Sequence, residues 1–323
     1  MLSRTASNLY WMSRYVERAE NTARVLDVTY RMSLVKRDPA LSEREWFAPL
    51  NITGTLFPFQ GRYSQVCAEQ VLTWMALDPA NPASIISCAK QARENARTTR
   101  VTLTSEMWEV INSTWLELSQ LSGTELSSNP GQFFEWVKER SHLFRGVSLG
   151  TMHRGDAFQF TRLGTFLERA DNTARILDVK YHVLLPGVEE VGRAVDYYQW
   201  GAVLRSVSAF ETYKRVYRDV ITPLRIAELL MLRDDFPRSL HFCLNDVFHI
   251  LEMLAAPRSE VLRLAGQLHS RLRFARIGEI FTQGLHEYLT EFLRHVNALE
   301  TAVSATFFSP ATTAPAAVTA LSA

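Results

Sequence analysis

Paired glutamate and arginine side chains on one helix are suited to two kinds of chemistry. They can form a structural ion pair, or they can hold a small charged ligand, because the planar guanidinium recognises a carboxylate or phosphate through two parallel hydrogen bonds. Residues 17–28 contain such a group in Glu17, Arg18, Asn21 and Arg24. The spacing of Glu17, Asn21 and Arg24 by four and then three residues places them on one face of a helix.

The same row of side chains returns in the second half of the chain. Residues 168–179 repeat residues 17–28 almost letter for letter, and the polar positions match as closely as the apolar ones. Two interpretations remain open: an ion-pair network that fixes the register of two helices, or a ligand site in which both copies meet across a pseudo-two-fold axis. The candidate residues of the second copy are Glu168, Arg169, Asn172 and Arg175.

Weaker matches follow the strong one in the same order along the chain. Pro82 and Ser84 match Pro237 and Ser239, now 155 residues apart. An ordered series with a slowly growing offset is what a duplication with small loop insertions leaves, so we expect two related halves that form one compact unit. The predicted parts are a first helical repeat (1–148), a second helical repeat (149–304) and a disordered tail rich in Ala, Thr and Pro (305–323).

Helical periodicity runs through the segments that carry these residues. Apolar residues recur there at alternating steps of three and four, which is typical of a helix packed along a neighbouring helix. Alanines fill two consecutive positions of this stripe in each copy (Ala19 and Ala23, then Ala170 and Ala174), so we expect the two helices to cross near them. An Asn–Pro start predicts one capped helix over 81–120. Without any alternating strand pattern, the sequence predicts an all-α bundle of about ten or more helices.

A second candidate surface lies where the two halves differ. Three arginines recur there at steps of four and three residues, so a helix presents them on one face, whereas the counterpart near 248–255 has no arginine. This face is either a solvated basic surface or a place where one half binds a specific partner or a single anion. Its candidate residues are Arg93, Glu94, Asn95 and Arg97, with Arg100 completing the face.

Composition and motifs narrow the classes of function. The formal net charge is +1, with 30 arginines against five lysines, which is too balanced for a protein that neutralises many phosphates, so we expect no nucleic-acid binding. The phosphate-loop, dinucleotide-binding, zinc-protease and serine-hydrolase motifs do not occur, and Glu139-x-x-His142 is half of what a dimetal site requires. The sequence therefore predicts no catalytic residue, metal or cofactor. Lacking long apolar runs and CxxC motifs, it also predicts no signal peptide, no membrane span and a cytoplasmic location.

Several short motifs together resemble one family of bacterial helical proteins. They are Met1-Leu2-Ser3-Arg4, Asn8-Leu9-Tyr10-Trp11, Glu17-Arg18-Ala19-Glu20-Asn21, Asn81-Pro82-Ala83-Ser84-Ile85, Ala92-Arg93-Glu94-Asn95-Ala96-Arg97 and Glu168-Arg169-Ala170-Asp171. With these motifs the sequence resembles the alpha-E family, which is named for its Glu-Arg motif. The resemblance spans nearly the whole chain apart from the tail.

The resemblance implies partners rather than a reaction. Alpha-E proteins are typically encoded beside, or fused to, circularly permuted ATP-grasp-type ligases, often near a transglutaminase-like protein, and the family's own activity is unassigned. The leading hypothesis is therefore a non-catalytic helical partner of an ATP-grasp-type amide ligase in bacterial peptide or amide synthesis or modification. One alternative is an enzyme in which Glu17 and Glu168 act as general acid or base on a small anionic or peptide substrate. The other is a purely structural bundle.

Overall fold

The structure is a computed structural model, and it describes residues 1–34, 39–121, 123–182 and 194–309. Those residues contain sixteen α-helices and no strand, which confirms the predicted all-α class, and none of these helices is both long and apolar enough to cross a membrane. The first eight helices are α1 (Ser3–Ser33), α2 (Pro39–Ile52), α3 (Leu56–Gln60), α4 (Ala68–Ala76), α5 (Ile85–Thr98), α6 (Ser105–Gln120), α7 (Gly123–Ser128) and α8 (Pro130–Thr151). The next eight are α9 (Asp156–His182), α10 (Ala194–Ser206), α11 (Phe210–Tyr217), α12 (Pro223–Leu232), α13 (Leu240–Leu254), α14 (Glu260–Arg273), α15 (Ile277–Gln283) and α16 (Leu285–Val303).

The helices of the two halves follow one another in the same order. Each half begins with its longest helix, α1 or α9, and ends with another long helix, α8 or α16. The fifth helix of each half starts in the same way, because Ser84 Oγ accepts from the amide of Ser87 and Ser239 Oγ accepts from the amide of Phe242. This parallel agrees with an internal duplication, which stays a prediction from the sequence, as do the repeat boundaries.

The long helices α1 and α9 pack along each other and support the rest of the fold. Helices α5 and α8 pack on α1, and α13 and α16 pack on α9. Helices also pack across the two halves, because α10 contacts α1 and α2 contacts α9. Two hydrophobic clusters fill the space between these layers. Each half therefore covers part of the long helix of the other, and the Glu-Arg segments lie between them.

One glycine sets the close contact between the long helices. A Cβ atom at Gly164 of α9 would overlap the carbonyl oxygen of Tyr10 and the hydroxyl of Ser13 on α1. The four stripe alanines are buried, as the periodicity predicts. Those of α1 and those of α9 belong to different hydrophobic clusters, however, so the close contact that the structure shows is at Gly164. Only a residue without a side chain fits there.

The helix predicted over 81–120 is two helices. The first begins after Ser84 and ends at Thr98, and the hydroxyl of Thr104 caps the start of the second. Asn81 is buried instead of capping, and its Nδ2 donates to the carbonyl of Trp74 at 3.0 Å. The predicted capping residue was therefore wrong, because the residue that caps this helix is Ser84, three positions later.

The ordered chain extends past the predicted start of the tail. A π-helical turn, Ser304–Phe308, continues α16. Its phenylalanines pack back on the bundle, with ring centroids 5.2 Å apart for Phe308 and Tyr10 and 5.3 Å apart for Phe307 and Phe160. The remainder of the predicted disordered tail, from residue 310, lies outside the described residues.

Candidate functional site

The two Glu-Arg motifs contact each other directly. Arg169 donates from Nε and Nη2 to the two carboxylate oxygens of Glu17, at 2.9 and 3.0 Å. In the reciprocal direction Arg18 donates from the same two nitrogens to the oxygens of Glu168, at 2.5 and 2.8 Å. Both pairs have the fork geometry that makes arginine–carboxylate bonds strong and specific. The motifs thus join α1 to α9 through two matched ion pairs.

Glu17 and Glu20 form the more enclosed half of this network. Arg238, in the loop before α13, donates to Oε1 of Glu17 at 3.0 Å and to Oε1 of Glu20 at 2.7 Å. Arg145 of α8 reaches both carboxylates. Arg24 lies one helical turn from Glu20 and donates to it from Nε at 2.8 Å. Because both glutamates are almost fully buried, their charges are compensated by protein groups rather than by water.

Glu168 belongs to the more open half. Besides Arg18, its carboxylate accepts from Nε of Arg14 at 2.7 Å, and Nη1 of Arg14 lies 2.8 Å from Glu300. Farther along α9, Arg175 forms a fork with Asp171 at 2.7 and 3.1 Å. The Arg175 side chain keeps 37% of its surface exposed, whereas Arg24, at the matching position of α1, keeps 10%.

Burial and the neighbouring arginines act in opposite directions on the pKa of the central glutamates. Burial raises the pKa of each carboxyl, but the positive charges outweigh it, so the pKa of Glu17 is lowered and that of Glu20 lies well below its usual range. Arg14 and Arg18 likewise lower the pKa of Glu168 to about 2. Burial lowers the pKa of Arg238 to about 10, which leaves it cationic at neutral pH. A general acid needs a raised pKa instead.

These pKa shifts predict that the folded protein loses stability in acid. A carboxyl whose pKa is lower in the folded than in the unfolded chain stabilises the fold above its unfolded pKa, and this contribution is lost as the pH falls towards the folded pKa. For Glu168 the window runs from the ordinary value of 4.5 down to about 2. We expect urea midpoints that stay level from pH 7 to about 5 and then fall steeply. A midpoint that is the same at pH 3 and pH 6 would contradict the ionised network.

An open cleft of about 210 Å³ lies beside the Glu168 half of the network. Its walls come from α1, α9, the end of α2 and the loop before α5. The candidates Arg18, Asn21, Glu168, Asn172 and Arg175 line it, together with Thr22, Ile52, Thr53, Ala83 and Asp171. Glu17, Arg24 and Arg169 are not among the lining residues that the structure describes. The two copies therefore meet through the ion pairs, and both contribute to the cleft, with six lining residues from the first half and four from the second.

The second candidate surface is separate from this cleft. On α5, Glu94 pairs with Arg93 and with Arg97, each at 2.9 Å, and Arg93 Nε donates to Asn112 at the same distance. None of these residues, nor Asn95, lines the cleft in the described part of the chain. They form a basic face at the surface, because the Arg97 side chain is 64% exposed.

The Glu-x-x-His motif places its histidine at the edge of the ion-pair network. His142 lies beside the network, with Nε2 3.1 Å from Nη2 of Arg24 and 3.5 Å from Glu20. Within residues 1–34, 39–121, 123–182 and 194–309, no three His, Cys, Asp or Glu side chains are grouped so as to hold a metal ion. The histidine instead adds a polar edge to the ion-pair network.

Four members of the network escaped the sequence prediction, and for three of them nothing in the local sequence marks them. Arg14 and Arg145 lie on helical faces that look ordinary, and Glu300 lies near the end of the last helix. Arg238 had a signal that could be read, since it stands between Pro237 and Ser239, where the first half has Ala83 between the matching proline and serine. The replacement of Ala83 by an arginine at the matching position of the second half is the feature that distinguishes Arg238 in the sequence.

Fold and site together define an all-helical protein whose two longest helices are joined by a buried, reciprocal Glu-Arg network. The chain belongs to the Alpha-E family, described as a predicted alpha-helical domain with a conserved ER motif, and the family model matches residues 1–308. The Glu17–Arg18 and Glu168–Arg169 dipeptides are instances of the ER sequence.

Two similar mycobacterial proteins are described as uncharacterised. They are Mb2597 of Mycobacterium bovis and MT2643 of Mycobacterium tuberculosis, each 23% identical to this chain over 318 residues. The match covers 91% of this chain but 35% of each relative, so the chain spans about a third of their length. No solved structure matches the chain significantly.

Proposed function

We propose that this chain is a non-catalytic helical partner of an ATP-grasp-type amide ligase in bacterial peptide or amide synthesis or modification, with a transglutaminase-like protein as a second partner. The observation that carries the proposal is the state of the central carboxylates. Glu17 and Glu168 are buried in fork-shaped ion pairs and their pKa is lowered, which suits a scaffold and disfavours proton transfer. Since such a ligase consumes ATP, the proposal places the complex in the cytoplasm.

The length of the relatives supports a role beside another domain. In both mycobacterial proteins the matched region is 35% of the chain, so most of each polypeptide lies outside it. A helical unit that makes up about a third of a longer chain is suited to work next to another domain or a partner. The alternative, a purely structural bundle, does not explain why polar and charged side chains line an open cleft.

The basic face on α5 is the proposed docking surface. Arg93 and Arg100 stack over the ring of Trp108, with their guanidinium carbons 5.9 and 5.3 Å from its centroid. Val101, beside them, is 97% exposed. Arginine and tryptophan are enriched at the centres of protein interfaces, where the ring supplies area and the guanidinium supplies directed hydrogen bonds.

Co-purification with the ATP-grasp-type ligase of the same genome tests the proposal. We expect the two proteins to co-elute and the ligase to form amide bonds faster with the chain than without it. Replacing Arg93 and Arg97 by Glu should weaken the association about tenfold or more, because it reverses two interface charges. The matched control replaces Arg263 and Arg276, two exposed arginines outside this face, and should bind as the wild type does.

Two results would overturn the proposal. One is a ligase that does not associate with the chain and runs at its full rate alone. The other is turnover of a small anion by the chain itself that disappears in Glu17→Gln while the variant stays folded, which would establish the enzyme alternative.

A further inference from the structure

Two matched loops deliver different side chains to the Glu-Arg network. The loop before α13 reads Pro237-Arg238-Ser239, and the loop before α5 reads Pro82-Ala83-Ser84. Both serines cap the helix that follows, so Arg238 and Ala83 occupy the same position relative to their helices. On one side of the α1–α9 pair the loop therefore carries a guanidinium, and on the other side it carries a methyl group.

The arginine shows what this position can bind. Arg238 donates to Glu17, to Glu20 and, at 2.9 Å, to Oδ1 of Asn21. The matching residues on α9 are Glu168, Asp171 and Asn172, and all three line the cleft next to Ala83. The cleft thus lies where the carboxylates of α9 lack the loop cation that the carboxylates of α1 have. A positively charged group of a ligand can take that place.

A buried amide on the α1 wall of the cleft needs a hydrogen-bond acceptor, whereas the α9 wall needs a positively charged group. Asn21 is 3% exposed and lines the cleft, and its Nδ2 has no hydrogen-bond partner among the described residues. The orientation of this amide is fixed, because Arg238 has only donors and must therefore face Oδ1. Nδ2 is left to donate to an oxygen from outside the network, since buried donors are rarely left unpaired.

Two arginines of the cleft reinforce this preference for an oxygen ligand. Arg18 and Arg175 each use Nε and Nη2 on a carboxylate of the protein, and within the described residues their Nη1 groups are not engaged in these forks. Both arginine side chains line the same cleft. Two neighbouring cations and a free amide donor suit a carboxylate.

We propose that this cleft binds the zwitterion of an α-amino acid. The ligand's carboxylate would accept from Asn21, Arg18 and Arg175, and its ammonium would donate to the Glu168, Asp171 and Asn172 wall. The charges of the lining, two arginines and two acids, balance, which favours a neutral zwitterion over a free anion or cation. A volume of about 210 Å³ is below the roughly 300–1,000 Å³ of sites for drug-sized ligands, so the ligand is of amino-acid size.

Calorimetric titration of the full chain with each proteinogenic L-amino acid tests this site. We expect at least one to bind with a Kd of about 1 mM or lower. Its N-acetyl and carboxamide derivatives should each bind at least about tenfold more weakly, since each lacks one charge. Acetate and inorganic phosphate are titrated separately as plain anions.

Two variants locate the binding. Ala83→Arg places in the cleft the side chain that fills the matched position, and it should abolish binding, whereas Ala80→Arg, in the same loop but outside the cleft, should not change it. Asn172→Ala removes a half-exposed side chain that lines the cleft and belongs to none of the described ion pairs, so the fold is kept while the affinity falls.

The outcomes separate this site from the proposed partner role. The inference is overturned when no amino acid binds, when either blocked derivative or phosphate binds as well as the free amino acid, or when Ala83→Arg and Asn172→Ala both bind normally. None of these titrations contains a ligase. A chain that binds an amino acid but not the ligase would therefore overturn the proposed function alone.

Discussion

Glu17→Gln is expected to lower the free energy of unfolding by about 3–5 kcal/mol, the usual cost of removing one partner from a buried ion pair. The substitution keeps the size of the side chain and removes its charge. Arg169 and Arg238 would then keep their positive charges in a site with 8% of each side chain exposed, without the carboxylate that both of them contact. Arg145, which is partly exposed, can turn towards water and would be affected less.

Chemical denaturation with an unchanged m-value measures this loss. The matched control is Glu94→Gln, which also removes a carboxylate that contacts two arginines, but on an exposed surface. Surface pairs contribute about 0–1 kcal/mol, so the control should barely shift the denaturation midpoint. Equal losses in the two variants would show that the central network is no more protected from water than the surface of α5.

The sequence predicts the helices that carry this network much better than it predicts the network itself. Alternating steps of three and four residues identify the buried stripe of α1 and α9, because helical geometry alone decides which side chains share a face. Glu17 and Arg169 are 152 positions apart, and the fork between them depends on how their two helices are turned towards each other. Periodicity within one helix contains no information about that rotation.

The position of the cleft could not be predicted from the sequence for a different reason. A cavity is defined by what is missing, and here the missing group is a side chain in a loop, at Ala83. The repeat did contain the necessary comparison, since Arg238 and Ala83 stand inside otherwise matched motifs. Its meaning needed the structure, because only the contacts of Arg238 show that this loop position faces the carboxylates of the central helix. The separate position of the Arg93 face likewise depends on the packing of α5 on α1.

Gly164→Ala is expected to destabilise the protein by about 3 kcal/mol, at the upper end of what overpacking normally costs. The added methyl group would overlap the backbone carbonyl of Tyr10, which cannot rotate away, as well as the hydroxyl of Ser13. The helices α1 and α9 must then separate. Glu168 lies one turn beyond Gly164, so the same separation would lengthen its bonds to Arg18 and weaken the network as well.

Gly146→Ala provides the control with the opposite expected sign. Gly146 lies inside α8, is exposed, and a methyl group added there would have no neighbouring atom within 4 Å among the described residues. Alanine is a better helix former than glycine by about 0.5–1 kcal/mol, so this variant should unfold at a higher temperature than the wild type. The two substitutions are chemically identical and both lie in helices. A rise for Gly146→Ala with a fall for Gly164→Ala would therefore assign the loss to the contact between α1 and α9, whereas a rise for both would show that the helices are farther apart than the structure places them.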